Sequence, residues 1–209
     1  FAALPPEKRK AFIPENDYLV EFDFDAYHLR LIGELVDYEF GKESVHEHLS
    51  KFYNSTYEES KQISFKLLYG GITEEIRKKV PFFDKVHDYI NSKWNEFNSN
   101  NCIKTYIYNR RITLHNNKNM NRNKLFNYSI QAFETERNIQ KILQIQDFLK
   151  DKGTNLVLYG YDSFLFDFSK GDGVKTLKKI KNILEENNYP TKIKMGYIYN
   201  GITDITNRF

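Results

Sequence analysis

The sequence predicts an α+β fold. Three observations carry this: apolar runs of strand length at 18–24 and 155–168, several segments of helical spacing between them, and a closing helix and strand over 172–199. Residues 18–24 (YLVEFDF) read as a strand ending in acidic residues. Residues 26–37 (AYHLRLIGELVD) have helical spacing, and 43–54, 56–69 and 82–97 give three more helices. Residues 103–115 read as a short hairpin turning near Asn109-Arg110. The segment 116–127 (NNKNMNRNKLFN) is Asn/Lys-rich and reads as a flexible polar connection, and NSNN at 98–101 is a second polar break. Across 125–150, Phe126, Ile130, Phe133, Ile142, Ile145 and Leu149 keep the spacing of a long amphipathic helix. Residues 155–168 (NLVLYGYDSFLFDF) place two apolar runs around Gly160-Tyr161-Asp162-Ser163, the pattern of a β-hairpin. A helix over 172–187 and a strand near 191–199 close the chain.

Composition bounds the function. The 209 residues suffice for one domain, or one with a subdomain, and for a sizeable core. Fifteen Tyr and seventeen Phe against one Trp supply many flat faces, most of which a core absorbs. The net charge of +3 permits a nucleic-acid partner without requiring one. Basic residues gather at Lys8-Arg9-Lys10 and between Lys104 and Lys124, with Arg110, Arg111, Lys118 and Arg122; such runs equally describe solvated surface. Cys102 is the only cysteine, so no disulfide or thiolate metal cluster forms within one chain, as expected of an intracellular, reducing compartment rather than a secreted protein. No apolar run approaches the roughly 20 residues of a membrane span, so no membrane partner is expected. The start, FAALPPEKRK, is not a signal peptide and lacks an initiator Met, as a fragment or processed product would.

Asp23 and Asp162 each follow an apolar strand. Neighbouring strands of one sheet would bring both carboxylates to one edge. Two carboxylates suit hard divalent cations, because Mg²⁺ takes oxygen ligands and is usually held by one or two carboxylates plus substrate phosphates. Taken alone, an Asp in a turn is as readily a turn former or helix cap.

Residues 19–30 (LVEFDFDAYHLR) resemble motif A of the family A, bacterial polymerase I type, DNA polymerases, an apolar strand followed by Asp-Tyr-Ser-Gln-Ile-Glu-Leu-Arg. Asp23 falls on the metal-binding Asp, Phe24 on the Tyr, and Leu29-Arg30 on the closing pair. Residues 61–70 (KQISFKLLYG) resemble motif B, with Lys61, Phe65, Tyr69 and Gly70 matching. Residues 156–163 (LVLYGYDS) resemble motif C, with Asp162 on the second metal-binding Asp. Between them, Ser44-Val45-His46 resembles the Asp-Ile-His before the fingers helix. Tyr108-Asn109-Arg110-Arg111 resembles the Phe-Gly-Arg-Arg turn, and Asn127 to Gln131 the Asn-x-Pro-x-Gln that opens a long palm helix. Six motifs stand in the family's order across nearly the whole chain. The helical period supports motif B, since Tyr57, Lys61, Phe65 and Tyr69 recur every four residues and share one face. The same stripe also describes an amphipathic helix burying its aromatics.

The resemblance implies a palm with an antiparallel sheet backed by helices and a small helical fingers subdomain. Palm would comprise 1–39 (motif A) and 101–209 (motif C), with reduced fingers over 40–100. It implies a DNA-directed DNA polymerase that extends a primer with deoxynucleoside triphosphates by two-metal nucleotidyl transfer. Asp23, the Phe24 backbone carbonyl and Asp162 would hold two Mg²⁺. Lys61 and His46 would hold the triphosphate, with Lys61 able to protonate the leaving group. Phe24, His28, Phe65 and Tyr69 would shape the nucleotide site. Gln131 would reach the minor groove of primer-template DNA, and Arg110, Arg111 and Arg122 its phosphates. A thumb and any exonuclease domain are absent from this chain, so the rest of the polymerase is an expected partner in the same or another chain.

Several positions depart from the pattern. His28 stands where the family has the Glu that blocks the ribose 2′ position, Tyr57 replaces an Arg, and Ser64 and Lys66 replace Asn and Gly. Tyr161 and Ser163 replace the His and Glu of motif C, and Asp25, replacing a Ser, reads as a solvated helix cap. These changes motivate two further readings: a polymerase relic that binds primer-template DNA without efficient turnover, and a polymerase with relaxed sugar or template choice.

Overall fold

The computed structural model of the chain describes residues 5–41, 43–113 and 119–208. Seven strands and seven α-helices appear among them. The chain divides into two compact units, one formed by residues up to Tyr27 with those from Asn138 onward, the other by His28–Arg137.

The first unit is built on a five-stranded antiparallel sheet of β1 (Tyr18–Phe24), β4 (Asn155–Gly160), β5 (Ser163–Phe168), β6 (Thr191–Gly196) and β7 (Thr203–Asp204), ordered β4-β5-β1-β6-β7. Alternation explains why β1 sits at the centre. Val20, Phe22 and Phe24 share one face and are fully or nearly buried, with Phe164 and Phe166 beside them on β5 and Ile193 on β6. Phe22 meets Phe166, and Phe24 meets Phe164, edge-on at 5.6 and 6.0 Å. Leu19, Glu21 and Asp23 point to the other face, where a small cluster of Leu19, Leu165 and Tyr199 covers only the far end. The near end of that face is left to the acidic residues.

Helix α7 (Val174–Leu184) buries Leu177, Ile180, Ile183 and Leu184, the 3–4 spacing of its apolar residues. Its last turn is tied to the long helix α6 (Arg122–Leu149) by Lys141, buried, whose Nζ donates to the Ile183 carbonyl at 2.9 Å. Asn138 on α6 accepts from the Tyr27 hydroxyl at 2.7 Å and donates to the Tyr159 hydroxyl and the Tyr161 carbonyl. The sheet backed by helices therefore matches the α+β expectation.

The second unit is helical, with α1 (Tyr27–Leu35) entering it, then α2 (Val45–Tyr53), α3 (Tyr57–Gly70), α4 (Glu74–Lys79) and α5 (Pro81–Asn100), and the first half of α6. Ser44 and Glu47 form a capping box on α2, and Thr56 and Glu59 one on α3, each satisfying orphan amides at the helix start. Asn54 closes α2 in the left-handed conformation, Pro81 opens α5, and Asn101 ends it at φ 53°. Val45, Leu49, Val80, Phe82, Phe83 and Val86 are fully buried. A two-stranded ribbon, β2 (Cys102–Lys104) and β3 (Arg111–Thr113), turns through Asn109 at φ 53°, close to where the hairpin was expected.

Three expectations change. α4 was not anticipated, because EEIRKK carries a single apolar residue and no period. Residues 122–127 are not a flexible connection but the first turns of α6: Leu125 and Phe126 are buried and the Asn121 side chain accepts from the Lys124 amide at 3.0 Å. Residues 116–118 of that segment, including Lys118, and residues 114–115 of the hairpin lie outside the described residues. Asp25 is not a solvated cap; its side chain is largely buried and pairs with Lys192 at 3.4 Å.

Candidate active site

In the first unit the exposed end of the sheet forms an open cleft of about 790 Å³, lined by Asp23, Asp162, Glu21, Lys194, Tyr199 and Arg9 among others. Asp23 is the second-last residue of β1, at the end of its face beyond the Leu19, Leu165 and Tyr199 cluster, and its side chain is about a third exposed. Asp162 lies in the two-residue turn between β4 and β5 and is exposed. The Phe24 amide donates to the Asp162 carbonyl at 2.9 Å, so the backbone itself ties the end of β1 to that turn. Tyr161 completes the turn at φ 58°, a left-handed conformation uncommon for a bulky residue.

The two carboxylates that the sequence singled out therefore line one cleft, Asp23 near the end of β1 and Asp162 in the turn that leads into the adjacent strand β5. Phe24 contributes its backbone here, since its ring is buried and stacked on Tyr27 at 4.2 Å. Among the described residues no cluster of three or more His, Cys, Asp or Glu is placed to hold a metal. An oxygen-only pair beside an open cleft fits a hard cation that keeps waters and takes substrate phosphates, and does not fit zinc.

Sequence reasoning did not find the cations of this cleft. Lys194 on β6 lies opposite Glu21, and its Nζ donates to Asp23 Oδ2 at 3.0 Å and approaches Glu21 Oε2 at 3.4 Å. Partial burial works against the ammonium. The hydrogen bond and charge of Asp23 and the charge of Glu21 outweigh it and hold the Lys194 pKa above the ordinary lysine value. Glu21 is buried and accepts the Tyr199 hydroxyl at 2.6 Å. Burial and that carboxylate push the Tyr199 pKa up. The Arg9 guanidinium lies over the Tyr199 ring at 5.5 Å.

The second unit carries the other expected residues. On α3 the buried face is Ser60, Ser64, Leu67 and Leu68, while Lys61, Phe65 and Tyr69 face solvent. Phe65 is 62% exposed and its ring lies 4.9 Å from that of Tyr69. The stripe is thus not the core face of an amphipathic helix. Ser60 holds the interior by donating to the His46 carbonyl at 2.8 Å, and Ser64 by a 3.1 Å bond to the Tyr53 hydroxyl. His28 on α1 bonds the Tyr69 hydroxyl through Nδ1 at 2.8 Å; both line a small cleft with Gln131. The other ring nitrogen lies 3.2 Å from the buried Glu134 carboxylate without hydrogen-bond alignment. Burial, then the Glu134 charge, raises the Tyr69 pKa.

His46 sits elsewhere. It is only 6% exposed, edge-on to Tyr57 at 5.5 Å, so its ring is packed inside the unit rather than offered to a phosphate. Arg110, Arg111 and Arg122 are exposed, but each has a protein partner: Glu136 at 2.8 Å, Cys102 Sγ at 3.4 Å and Asn91 at 3.0 Å. Glu136, fully buried, is the organiser of the 105–110 turn. It accepts from the Thr105 hydroxyl (2.6 Å), the Ile107 and Tyr108 amides (3.1 Å each) and Arg110. Burial opposes its charge, but these donors prevail and its pKa lies below the ordinary glutamate value.

The chain is similar in structure to the POL domain of Pol1 from M. smegmatis, solved in complex with DNA primer-template and dNTP, with a TM-score of 0.78 and 18% identity. The match covers 96% of this chain and 44% of that one, so this chain spans less than half the length of its neighbour. This chain has the fold of a polymerase POL domain. No protein-family model and no curated protein sequence matches it. That fold agrees with the palm expected from the sequence. Among the described residues no helix is long and apolar enough to cross a membrane.

Proposed function

We propose that this chain is the palm (1–39 and 101–209) and reduced fingers (40–100) of a family A DNA polymerase that extends a primer on a DNA template with deoxynucleoside triphosphates, releasing pyrophosphate. The observation that carries this reading is the convergence of Asp23 and Asp162 on one open cleft within a POL-domain fold. Asp23, Asp162 and the Phe24 carbonyl would hold two Mg²⁺, which when bound make the primer 3′ oxygen a better nucleophile and neutralise the departing pyrophosphate. Lys61 would bind the triphosphate and supply a proton to the leaving oxygen. Phe65 would pack on the incoming sugar, and Tyr69 would stand by the templating base. His28, braced by Tyr69, would occupy the space of a ribose 2′ oxygen and so bear on sugar choice. Gln131 would probe the minor groove, where acceptors common to all base pairs lie. Arg110, Arg111 and Arg122 would make salt-sensitive phosphate contacts. His46 would act through packing against Tyr57.

Primer extension with Mg²⁺ and with EDTA tests the reading. Template-directed extension that requires the metal and fails in Asp162→Ala supports it. Tight primer-template binding without any extension supports the DNA-binding relic, a reading favoured by the cation already seated on Asp23.

A further inference from the structure

The first unit's cleft contains a cation that none of the roles above employs. Lys194 reaches two carboxylates from one position: Asp23 at 3.0 Å and Glu21 at 3.4 Å. Glu21 and Asp23 are alternate residues of β1 and share a face, and Glu21 is the direct cross-strand neighbour of Lys194. The two acids differ in environment. Glu21 is buried and fixed by the Tyr199 hydroxyl at 2.6 Å, whereas Asp23 opens on the cleft. A buried carboxylate keeps a charged partner, so Glu21 is a poor ligand for an ion in the cleft but a ready acceptor for an ammonium.

We propose that Lys194 is a displaceable counter-ion, holding Asp23 while no divalent ion is bound and passing to Glu21 when one binds. The inference rests on the reading of Asp23 as a metal ligand. A divalent ion at Asp23 and the ammonium repel at this range, and only one can occupy the carboxylate. A rotation about the flexible lysine stem carries the ammonium to Glu21, which is already set to receive it. The free protein therefore binds divalent ions weakly. Glu21 favours binding indirectly, by accepting the displaced lysine. Lys192, on the same face of β6, is engaged with Asp25 at 3.4 Å and has no part in the exchange.

Mn²⁺ binding to the 209-residue chain, followed by electron paramagnetic resonance without DNA or nucleotide, tests this. Asp23→Asn and Asp162→Asn define the site by weakening binding. Lys194→Met is expected to tighten Mn²⁺ binding about tenfold or more, and Lys192→Met by about threefold at most, as contact and distant charges differ. Glu21→Gln is expected to weaken binding in the wild-type background but to have little effect beside Lys194→Met. The double variant is charge-balanced, so where Lys194→Met alone does not fold, comparing it with Glu21→Gln reads the effect of removing the ammonium, again expected as tighter binding. Unchanged or weaker binding in Lys194→Met, or an equal cost of Glu21→Gln in both backgrounds, overturns the proposal alone. Binding indifferent to Asp23→Asn and Asp162→Asn overturns it together with the metal reading.

Discussion

Glu136 and Phe65 illustrate opposite uses of a side chain. Glu136 is an acid inside α6, with four donors around it and the 105–110 turn hung upon it. Glu136→Ala leaves those donors unmatched, and a loss of about 3 kcal/mol is expected in urea unfolding. The pH dependence has a definite sign. The native pKa is depressed below the ordinary glutamate value of about 4.3, so the stabilisation is complete above that value and is lost as pH falls through the native pKa. Wild type should lose stability on acidification below about pH 5 more steeply than Glu136→Gln; parallel curves would contradict the assignment. Phe65, by contrast, buries little in the free protein. Phe65→Ala should change unfolding stability by no more than about 0.5 kcal/mol. Loss of one stacked ring should nonetheless weaken dNTP binding about tenfold or more, read as KM in steady-state incorporation. A large stability loss with unchanged KM would return Phe65 to a structural role. The His28–Tyr69 pair could not be read from sequence, because it joins side chains 41 residues apart. Glu134 and Glu136 were missed as well, since acids in a helix pattern read as its wet face, whereas both are buried.

At the scale of elements, β1 and the β4–β5 hairpin were legible because their physics is local. YLVEFDF alternates toward one apolar face, and Gly160-Tyr161-Asp162-Ser163 interrupts two apolar runs. The same alternation in TKIKMG puts Lys192 and Lys194 on one face of β6, but pairing with Glu21 depends on a register set 173 residues away. That long-range step hid the cation of the cleft. α4 was hidden for the reverse reason, being too short to show a period, with its Thr73 N-cap and the acidic-to-basic order of its turns the signals available. The hairpin also carries a testable strain. Tyr161 holds φ 58°, so Tyr161→Gly should stabilise the fold by about 1 kcal/mol while loosening the turn that places Asp162. The expected outcome is a higher melting temperature with a lower kcat for nucleotide addition. A lower melting temperature would mean that the Tyr161 ring, not its backbone, holds the turn.

For the whole molecule, the fold expected from the sequence and the POL-domain fold agree although identity to that neighbour is 18%. Burial and alternation tolerate exchange among apolar residues without loss of a fold, whereas a reaction centre does not tolerate exchange of its reacting groups. The catalytic reading is thereby concentrated on very few atoms, the carboxylates of Asp23 and Asp162. Single-turnover incorporation of one dNTP into a preformed primer-template complex measures them most directly, with Asp23→Asn and Asp162→Asn beside wild type. Each variant should lose about 10³-fold in rate, the scale of removing a preorganised charge from a reaction centre, while binding primer-template within about fivefold of wild type. Incorporation by either variant within about tenfold of wild type would contradict the assignment of those carboxylates to the chemistry.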